Sequence, residues 1–361
     1  MPDSAALAPQ DGLTAVDPVP ALRSISLRSV RACIQPQRMR RSTPRALFGL
    51  GVDALGYLLC MSGVVLAEAF WLQLLFGLLA GCFVAFLFVW AHDAAHGALF
   101  ENRRLSEVLG TIAMLPSLNV SRLWAFGHNR VHHGFTSLSS IDWIWRPWTP
   151  EEYQAASRRE RWLYRVERSL PGCALHYLRR VWWQGMVRFN PGQTPQQRSA
   201  MRVGKGISLA FFVVLSLFAW RYAGGWAGVV AGVLLPFIVF NYFIALFVYL
   251  HHTHPRIPYF LDRDQWGPAV GQLYCSTVIH FSRPMAWLTH NIMVHVPHHV
   301  HPHVPYYHLP AAYADIKARF GGYIHEYRFR WRTVGGIFAQ CKLFDFDTQR
   351  WYRFSECAPA A

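Results

Sequence analysis

The sequence is poor in charged residues. Only 15% of its 361 residues are charged and 53% are hydrophobic, whereas an average soluble chain has about 25% charged residues. Acidic residues are the scarcer kind, with 20 Asp and Glu against 35 Lys and Arg, so the net charge is +15. The basic residues flank apolar runs and no nucleic-acid motif is present, so we expect anionic membrane lipids, and not nucleic acid, as the partner of this charge.

Three kinds of motif are missing. The seven cysteines form no CxxC pair, so we expect reduced, structural thiols and no thiolate metal site. No HExxH motif occurs, which argues against a zinc metalloprotease. The N-terminus has no apolar segment after a basic start, so we expect Met1 to Asp17 to be a disordered lead-in and not a secretory signal.

Long apolar runs are what the sequence does contain. A membrane-spanning helix needs about 20 mostly apolar residues. Four runs meet or approach this length, at 47–66, 70–90, 206–220 and 226–250. Short connections join the first run to the second and the third to the fourth. These runs predict an all-α integral membrane protein with four transmembrane helices in two hairpins, and residues 46–361 form a single membrane domain.

The distribution of Lys and Arg predicts the orientation of these helices. Seven arginines precede the first run, sixteen basic residues lie in 97–205, and eleven follow Leu250. The two short connections together hold only Arg221. Positive residues stay on the cytoplasmic side, so we expect both termini, including residues 1–45, and the segments 91–205 and 251–361 to be cytoplasmic. This is the topology of a multi-pass protein of a bacterial inner membrane.

Eight of the eighteen histidines fall in three clusters on this cytoplasmic side. The clusters are His92 and His96; His128, His132 and His133; and His295, His298 and His299. Residues four apart share one face of a helix, so paired imidazoles can grip one metal ion. Pro297 fits a helix only in its first turn or at a kink. The clusters therefore predict a shared metal centre.

The number of ligands favours two metal ions, because zinc is usually bound by four ligands. Imidazole suits non-haem iron, and also copper, nickel and zinc, so the spacing does not select the metal. Asp93 is interpreted as a hydrogen-bond acceptor that orients a ligand imidazole. The fourth run would be about 37 Å long as a helix, longer than the roughly 30 Å hydrocarbon core. Its end therefore reaches the histidine clusters, where His252 is a candidate ninth ligand and His251 the next choice.

The three motifs HDxxH at 92–96, HxxxHH at 128–133 and HxxHH at 295–299 resemble the histidine boxes of the membrane fatty-acid desaturase superfamily. The segments Tyr249 to Pro255 and Pro305 to Leu309 are similar to those around the third box in acyl-lipid desaturases of the Δ12/ω-6 type. Thr136 and the pair Asp142 and Trp143 also match that group. The resemblance covers about residues 46–309.

This resemblance implies that the eight box histidines bind two iron ions in a cytoplasmic helical cap. It also implies that the protein uses O2 and two external electrons to introduce a double bond into a lipid acyl chain. Some members carry a fused cytochrome b5 domain with an HPGG motif, which is not found here. We therefore expect a separate ferredoxin-like or cytochrome b5-like electron donor and its reductase.

Other activities share this scaffold. A hydroxylase, an acetylenase or a carotenoid ketolase would use similar histidine boxes, and ketolases also carry HDxxH. A non-enzymatic membrane protein that binds or carries metal would need polar residues inside the apolar runs. Apart from Asp53 and Asn241 those runs are nearly free of polar residues, so this alternative is disfavoured.

Overall fold

The computed structural model describes residues 17–189 and 194–357. These residues form two compact units. Unit 1 comprises 17–40, 130–173 and 246–357, and unit 2 comprises 41–129, 174–189 and 194–245. Apart from Asp17, the segment for which we predict disorder lies outside the described residues.

Four helices are long and apolar enough to cross a membrane, as predicted. These first to fourth long helices are Thr43–Leu66, Phe70–Ala95, Pro195–Tyr222 and Trp226–His252. The second and fourth extend past their apolar runs, so that His92 and His252 lie on regular helix. The first histidine box is therefore positioned by the end of the second long helix.

The third long helix begins at Pro195, well before the predicted start at Gly206. The Thr194 side chain accepts a hydrogen bond from the Gln197 amide (3.2 Å), and the Gln197 side chain accepts one from the Thr194 amide (3.1 Å). This capping box and a proline at the first position are strong helix starts. An apolar run marks only the part of a helix that needs an apolar surrounding, whereas backbone hydrogen bonding continues through polar residues.

Unit 2 contains the first three long helices and most of the fourth. Its shorter helices are Arg103–Met114, Leu115–Ser117, Ser121–Ala125 and Tyr177–Arg188. The fourth long helix is built from Trp226–Val229, the π-helical turn Val230–Leu234 and Leu235–His252. In the interior of unit 2, Phe88 packs on Trp124 and Phe240. A buried Gln73 side chain donates hydrogen bonds to the carbonyls of Ala67 and Ala223.

Unit 1 is built from shorter elements. Its helices are Val19–Arg23, Leu27–Arg31, Pro36–Met39, His133–Phe135, Pro150–Ala155, Arg158–Glu167, Val270–Tyr274, Arg283–Leu288, His295–Val300, Tyr306–His308, Leu309–Phe320, Gly321–Tyr323, Trp331–Gln340 and Phe354–Glu356. The chain passes between the units at four points. One lies between Arg40 and Arg41, and the other three lie within the helices Phe126–His132, Cys173–His176 and Leu235–His252.

Unit 1 also contains four short strands, which the all-α prediction does not include. Strand Thr277–His280 pairs in parallel with His325–Arg328, and Leu343–Asp345 pairs antiparallel with Arg350–Tyr352. Each strand has three or four residues, too few for an alternating pattern to be recognised. A further bridge between Val278 and Val294 fixes the backbone directly before His295.

Close packing in unit 2 yields a stability prediction. A Cβ atom at Gly77, in the second long helix, would overlap the carbonyl oxygen of Ala231. Because backbone cannot move aside cheaply, Gly77→Ala should lower the free energy of unfolding by about 1–3 kcal/mol. Gly51→Ala is the matched control, since nothing lies within 4 Å of its Cβ position. Thermal melting in detergent should show a lower midpoint for Gly77→Ala only, and equal midpoints for the two variants would contradict the packing described here.

Candidate metal centre

Four histidines of unit 1 point their Nε2 atoms at one another. This His132 cluster consists of His132, His252, His295 and His299, and all four side chains are buried. The Nε2–Nε2 distances are 3.1 Å from His132 to His252, 3.2 Å from His252 to His295 and 2.9 Å from His295 to His299. His295 and His299 are one turn apart on the helix His295–Val300, where Pro297 occupies the first turn.

In each ring of the His132 cluster, the second nitrogen, Nδ1, lies within hydrogen-bonding distance of an acceptor oxygen. The Nδ1 atom of His132 lies 3.0 Å from Asp142 Oδ2, and that of His299 lies 2.8 Å from Gln272 Oε1. For His252 and His295 the acceptors are backbone carbonyls, at 3.0 Å from Cys275 and 3.3 Å from Ile292. A carboxylate or carbonyl oxygen can only accept, so each Nδ1 carries the hydrogen and each Nε2 carries a lone pair.

Four lone pairs that face one another in a buried space fit a bound cation. Neutral imidazoles with hydrogen on Nδ1 cannot hydrogen-bond to each other through Nε2, so their close approach is unfavourable without a positive centre. A hydrogen bond from Nδ1 to an acceptor is the usual companion of a metal-ligating histidine. The residues of the His132 cluster therefore have the chemistry of a transition-metal site.

Burial also keeps these rings in the ligand form. It lowers the pKa of His295 and of His299 well below the ordinary value for histidine, and the neighbouring imidazoles lower both further. A metal ligand must be neutral imidazole, since the protonated ring has no free lone pair. Burial thus keeps these imidazoles neutral at neutral pH, so protons do not compete with a metal ion for their lone pairs.

Two further box histidines pair in unit 1. The Nε2 atoms of His133 and His298 are 3.1 Å apart. The His133 ring stacks on His299, with centroids 4.1 Å apart and an angle of 6° between the planes. The Gln272 side chain donates from Nε2 to the His133 carbonyl (2.7 Å) and accepts from His299 with Oε1, so one amide holds parts of two histidine boxes in place.

The remaining box histidines come together in unit 2. The ring centroids of His92, His96 and His128 form a triangle with sides of 4.8, 4.9 and 5.1 Å. Asp93 Oδ1 lies 2.9 Å from His92 Nδ1, the position that the sequence interpretation gives to this carboxylate. Trp124 stacks on His128 with centroids 4.3 Å apart.

The four-residue spacing predicts that His128 and His132 of the second box share one face of a helix and bind one metal ion. In the structure they belong to different clusters. His128 lies with His92 and His96, whereas His132 belongs to the His132 cluster. The segment Phe126–His132 is a π-helix, in which hydrogen bonds join residues five apart.

Several predicted and unpredicted residues can now be placed. His252 lies in the His132 cluster, whereas its neighbour His251 points Nε2 at the Met293 sulfur (3.2 Å) and stacks on His295. Sequence reasoning did not find Gln272, and no local pattern marks it. Asp142 was noticed only through its resemblance to the Δ12/ω-6 group, and its spacing from His132 is not a helical pair.

An apolar groove lies elsewhere in unit 2. It encloses about 450 Å³ between the helix Tyr177–Arg188, the third and the fourth long helices, and its lining includes Trp182, Leu209 and Phe237. Two side chains hold the short helix over it through three hydrogen bonds. Trp182 Nε1 donates to the Leu118 carbonyl (2.9 Å), and Lys205 Nζ donates to the carbonyls of Val187 (2.8 Å) and Phe189 (2.9 Å).

Comparison with known proteins agrees with these features. Residues 69–331 match the family model described as fatty acid desaturase. The sn-1 oleoyl-lipid 12-desaturase of Picosynechococcus sp. is 33% identical over 296 residues, which cover 78% of this chain and 80% of the relative. The enzyme of the same name from Synechocystis sp. is 28% identical, covering 83% of this chain and 82% of the relative. The chloroplastic omega-6 fatty acid desaturase of Brassica napus is 30% identical, covering 77% of this chain and 61% of the relative.

Long apolar helices together with buried histidine clusters define a helical protein of membrane type with a candidate metal centre. The chain belongs to the fatty acid desaturase family, in its Δ12/ω-6 acyl-lipid group, and is an oxidoreductase. The sequence-based recognition of this family is confirmed.

The placement of His252 and His251 yields a test of the ligand set. His252→Phe keeps a ring but removes a nitrogen from the His132 cluster. Removal of a side chain that only hydrogen-bonds to a metal ligand weakens metal binding by roughly 10- to 100-fold. His252→Phe removes a proposed ligand itself, so it should weaken metal binding by more than this. His251→Phe is the matched control and should retain the metal, because Nε2 of His251 does not face the cluster. Metal content by mass spectrometry, after dialysis against graded chelator, distinguishes the two. Equal loss from both variants would remove His252 from the ligand set.

Proposed function

We propose that this protein is an O2-dependent di-iron desaturase that introduces a double bond into the acyl chain of a membrane lipid. The observation that carries the proposal is the set of four buried Nε2 lone pairs with locked Nδ1 hydrogens. It occurs in a chain similar to enzymes named for action on oleoyl-lipid. A lipid-linked oleoyl-type chain is therefore the proposed substrate.

The proposed ligands of two iron ions are the eight box histidines and His252, and the His132 cluster holds one of the ions. Imidazole nitrogens bind such metals at about 2.1 Å, so ligands at right angles lie about 3.0 Å apart and tetrahedral ligands about 3.4 Å apart. The spacings of 2.9 to 3.2 Å in the cluster are within the range in which one bound ion would be reached by these imidazoles. Asp93 orients His92 as an acceptor at Nδ1, and Asp142 orients His132 in the same way.

The overall reaction takes two hydrogens from neighbouring CH2 groups. O2, two external electrons and two protons enter, and one C=C bond and two water molecules leave. Bound iron supplies the activation of O2 and the oxidation of the unactivated C–H bonds. The protein's residues hold the ligands neutral, fix the orientation of each ring and exclude bulk water, and they determine which C–H bond is presented.

The proposed topology places both hairpins in the membrane, with the termini and the histidine-bearing segments forming a cytoplasmic helical cap. It is supported by the distribution of Lys and Arg, of which the two short connections together hold only one. Residues 46–361 are proposed to act as a single membrane domain. The same basic cytoplasmic surface suits an acidic electron donor of the ferredoxin or cytochrome b5 kind, which would act with its reductase.

The apolar groove of unit 2 is the proposed seat for part of the lipid. Lys205 directly precedes the apolar run 206–220, so the groove extends from the membrane boundary inward, past Leu209 to Phe212. The helix Tyr177–Arg188 carries Trp182 and Trp183 together with Arg179, Arg180 and Arg188, a composition typical of the headgroup region. An acyl chain from the cytoplasmic leaflet fits this position.

The reaction itself is tested in a host that contains oleoyl lipids and a compatible reductase system. Gas chromatography–mass spectrometry should detect new dienoic chains with the wild-type protein and none with His298→Ala, because the variant lacks a proposed iron ligand. Equal expression and membrane insertion of the two proteins are the controls. Hydroxylated or acetylenic chains would keep the metal centre and change the reaction. An unchanged profile despite full iron loading and electron supply would overturn the acyl-lipid substrate and turn attention to carotenoids.

The groove is tested by a substitution at its rim. Leu209→Trp places a larger ring where the lipid chain would lie and should reduce the dienoic product several-fold at equal protein level. Val214→Trp, on an exposed position of the same helix outside the groove lining, is the matched control and should retain the product. Iron content should stay the same in both variants. Full activity of Leu209→Trp would contradict a lipid site in this groove.

A further inference from the structure

Asp53 is an acidic residue within the first long helix and interrupts its apolar run. Its side chain is buried, with a relative exposure of 3%. Asp and Glu are expensive inside membrane-spanning helices, and those that persist face the protein interior and mark functional positions. None of the roles described above uses this carboxylate.

The hydrogen-bond partner of Asp53 is close to the first histidine box. Trp90 Nε1 donates to Asp53 Oδ2 at 2.6 Å, and the indole is also buried. Trp90 lies two residues before His92 on the second long helix. At about 100° per residue, two residues rotate the side-chain direction by about 200°, so Trp90 and His92 project from opposite sides of the helix. A contact that fixes Trp90 therefore fixes the rotation of the helix at His92.

We infer that Asp53, through its hydrogen bond to Trp90, is a positioning residue that sets the orientation of the first histidine box. The inference rests on the proposed role of His92 as an iron ligand. A ligand atom roughly 6 Å from the helix axis moves by about 1 Å when the helix rotates by about 10°. A displacement of this size is enough to disturb a metal site or a reaction geometry.

Apolar packing alone would not set this rotation. The apolar run 70–90 carries no charged residue, and its buried amide, Gln73, lies at the end of the helix far from His92. Hydrophobic contacts have no preferred direction. A directional polar contact between two helices selects one arrangement among several of similar packing energy. Asp93 Oδ1 lies against His92 Nδ1 and fixes the ring, but Asp93 is carried by the same helix and therefore does not fix the rotation of that helix.

The same helix offers a matched control at its other end. Gln73 is also buried and polar, and it also ties the second long helix to its neighbours, through the carbonyls of Ala67 and Ala223. It lies nineteen residues before His92 in sequence, about 28 Å along the helix. Gln73→Leu therefore removes a comparable polar contact without changing the surroundings of the box.

The experiment compares iron affinity, the Mössbauer spectrum of iron-loaded protein and the melting temperature of the metal-free protein. Asp53→Leu and Trp90→Phe should each weaken iron binding about tenfold or more and change the spectrum. The double variant should be no worse than either single variant, because both remove the same contact. Asp53→Asn keeps an acceptor and should restore most of the affinity. Gln73→Leu should lower the melting temperature and leave affinity and spectrum as in the wild type.

Two results would overturn the inference while leaving the proposed function intact. One is wild-type iron affinity and spectrum in both Trp90→Phe and Asp53→Leu. The other is an equal loss of iron in Gln73→Leu, which would reduce Asp53 to a general packing contact. Failure of the wild-type protein itself to bind iron would instead overturn the proposed function, and this inference with it.

Discussion

The hydrogen bonds at Nδ1 of the buried histidines are the interaction on which the candidate site depends. Without an acceptor at Nδ1, a neutral imidazole can carry its hydrogen on either nitrogen and can rotate. With Asp142, Gln272 and two backbone carbonyls in place, the four rings of the His132 cluster each present a lone pair to the same small space. Because the acceptors come from separate segments of unit 1, this ligand set forms only when those segments are folded together.

This arrangement couples metal binding to folding. Lone pairs that face one another within about 3 Å repel without a cation, and burial disfavours the protonation that would relieve the repulsion in the metal-free protein. The depressed pKa of His295 and of His299 has the same origin. A metal ion bound in this space would therefore stabilise an arrangement that the folded chain by itself holds at a cost.

Charged side chains are scarce in this protein, and several buried polar side chains orient their neighbours. Hydrophobic packing provides most of the driving force for folding but does not fix rotation. Gln272 spans two histidine boxes, Asp93 faces His92, and Asp53 meets Trp90 in the apolar part of unit 2. Each is a directional contact that fixes the orientation of its partner.

The sequence by itself determined the four long helices, the family and the residues of the histidine boxes. Apolar run length sets whether a helix can cross a membrane, and imidazole clusters in a fixed order are rare, so local patterns carried this information. Helix ends such as Pro195 were missed because hydropathy ignores capping, although Thr194 and Gln197 were there to be read. Only the tertiary structure decided that His252 and not His251 belongs to the His132 cluster, and that His128 and His132 lie in different clusters. It alone also showed that Gln272 accepts a hydrogen bond from His299. These outcomes depend on ring directions and on contacts between residues far apart in sequence, which no local spacing encodes.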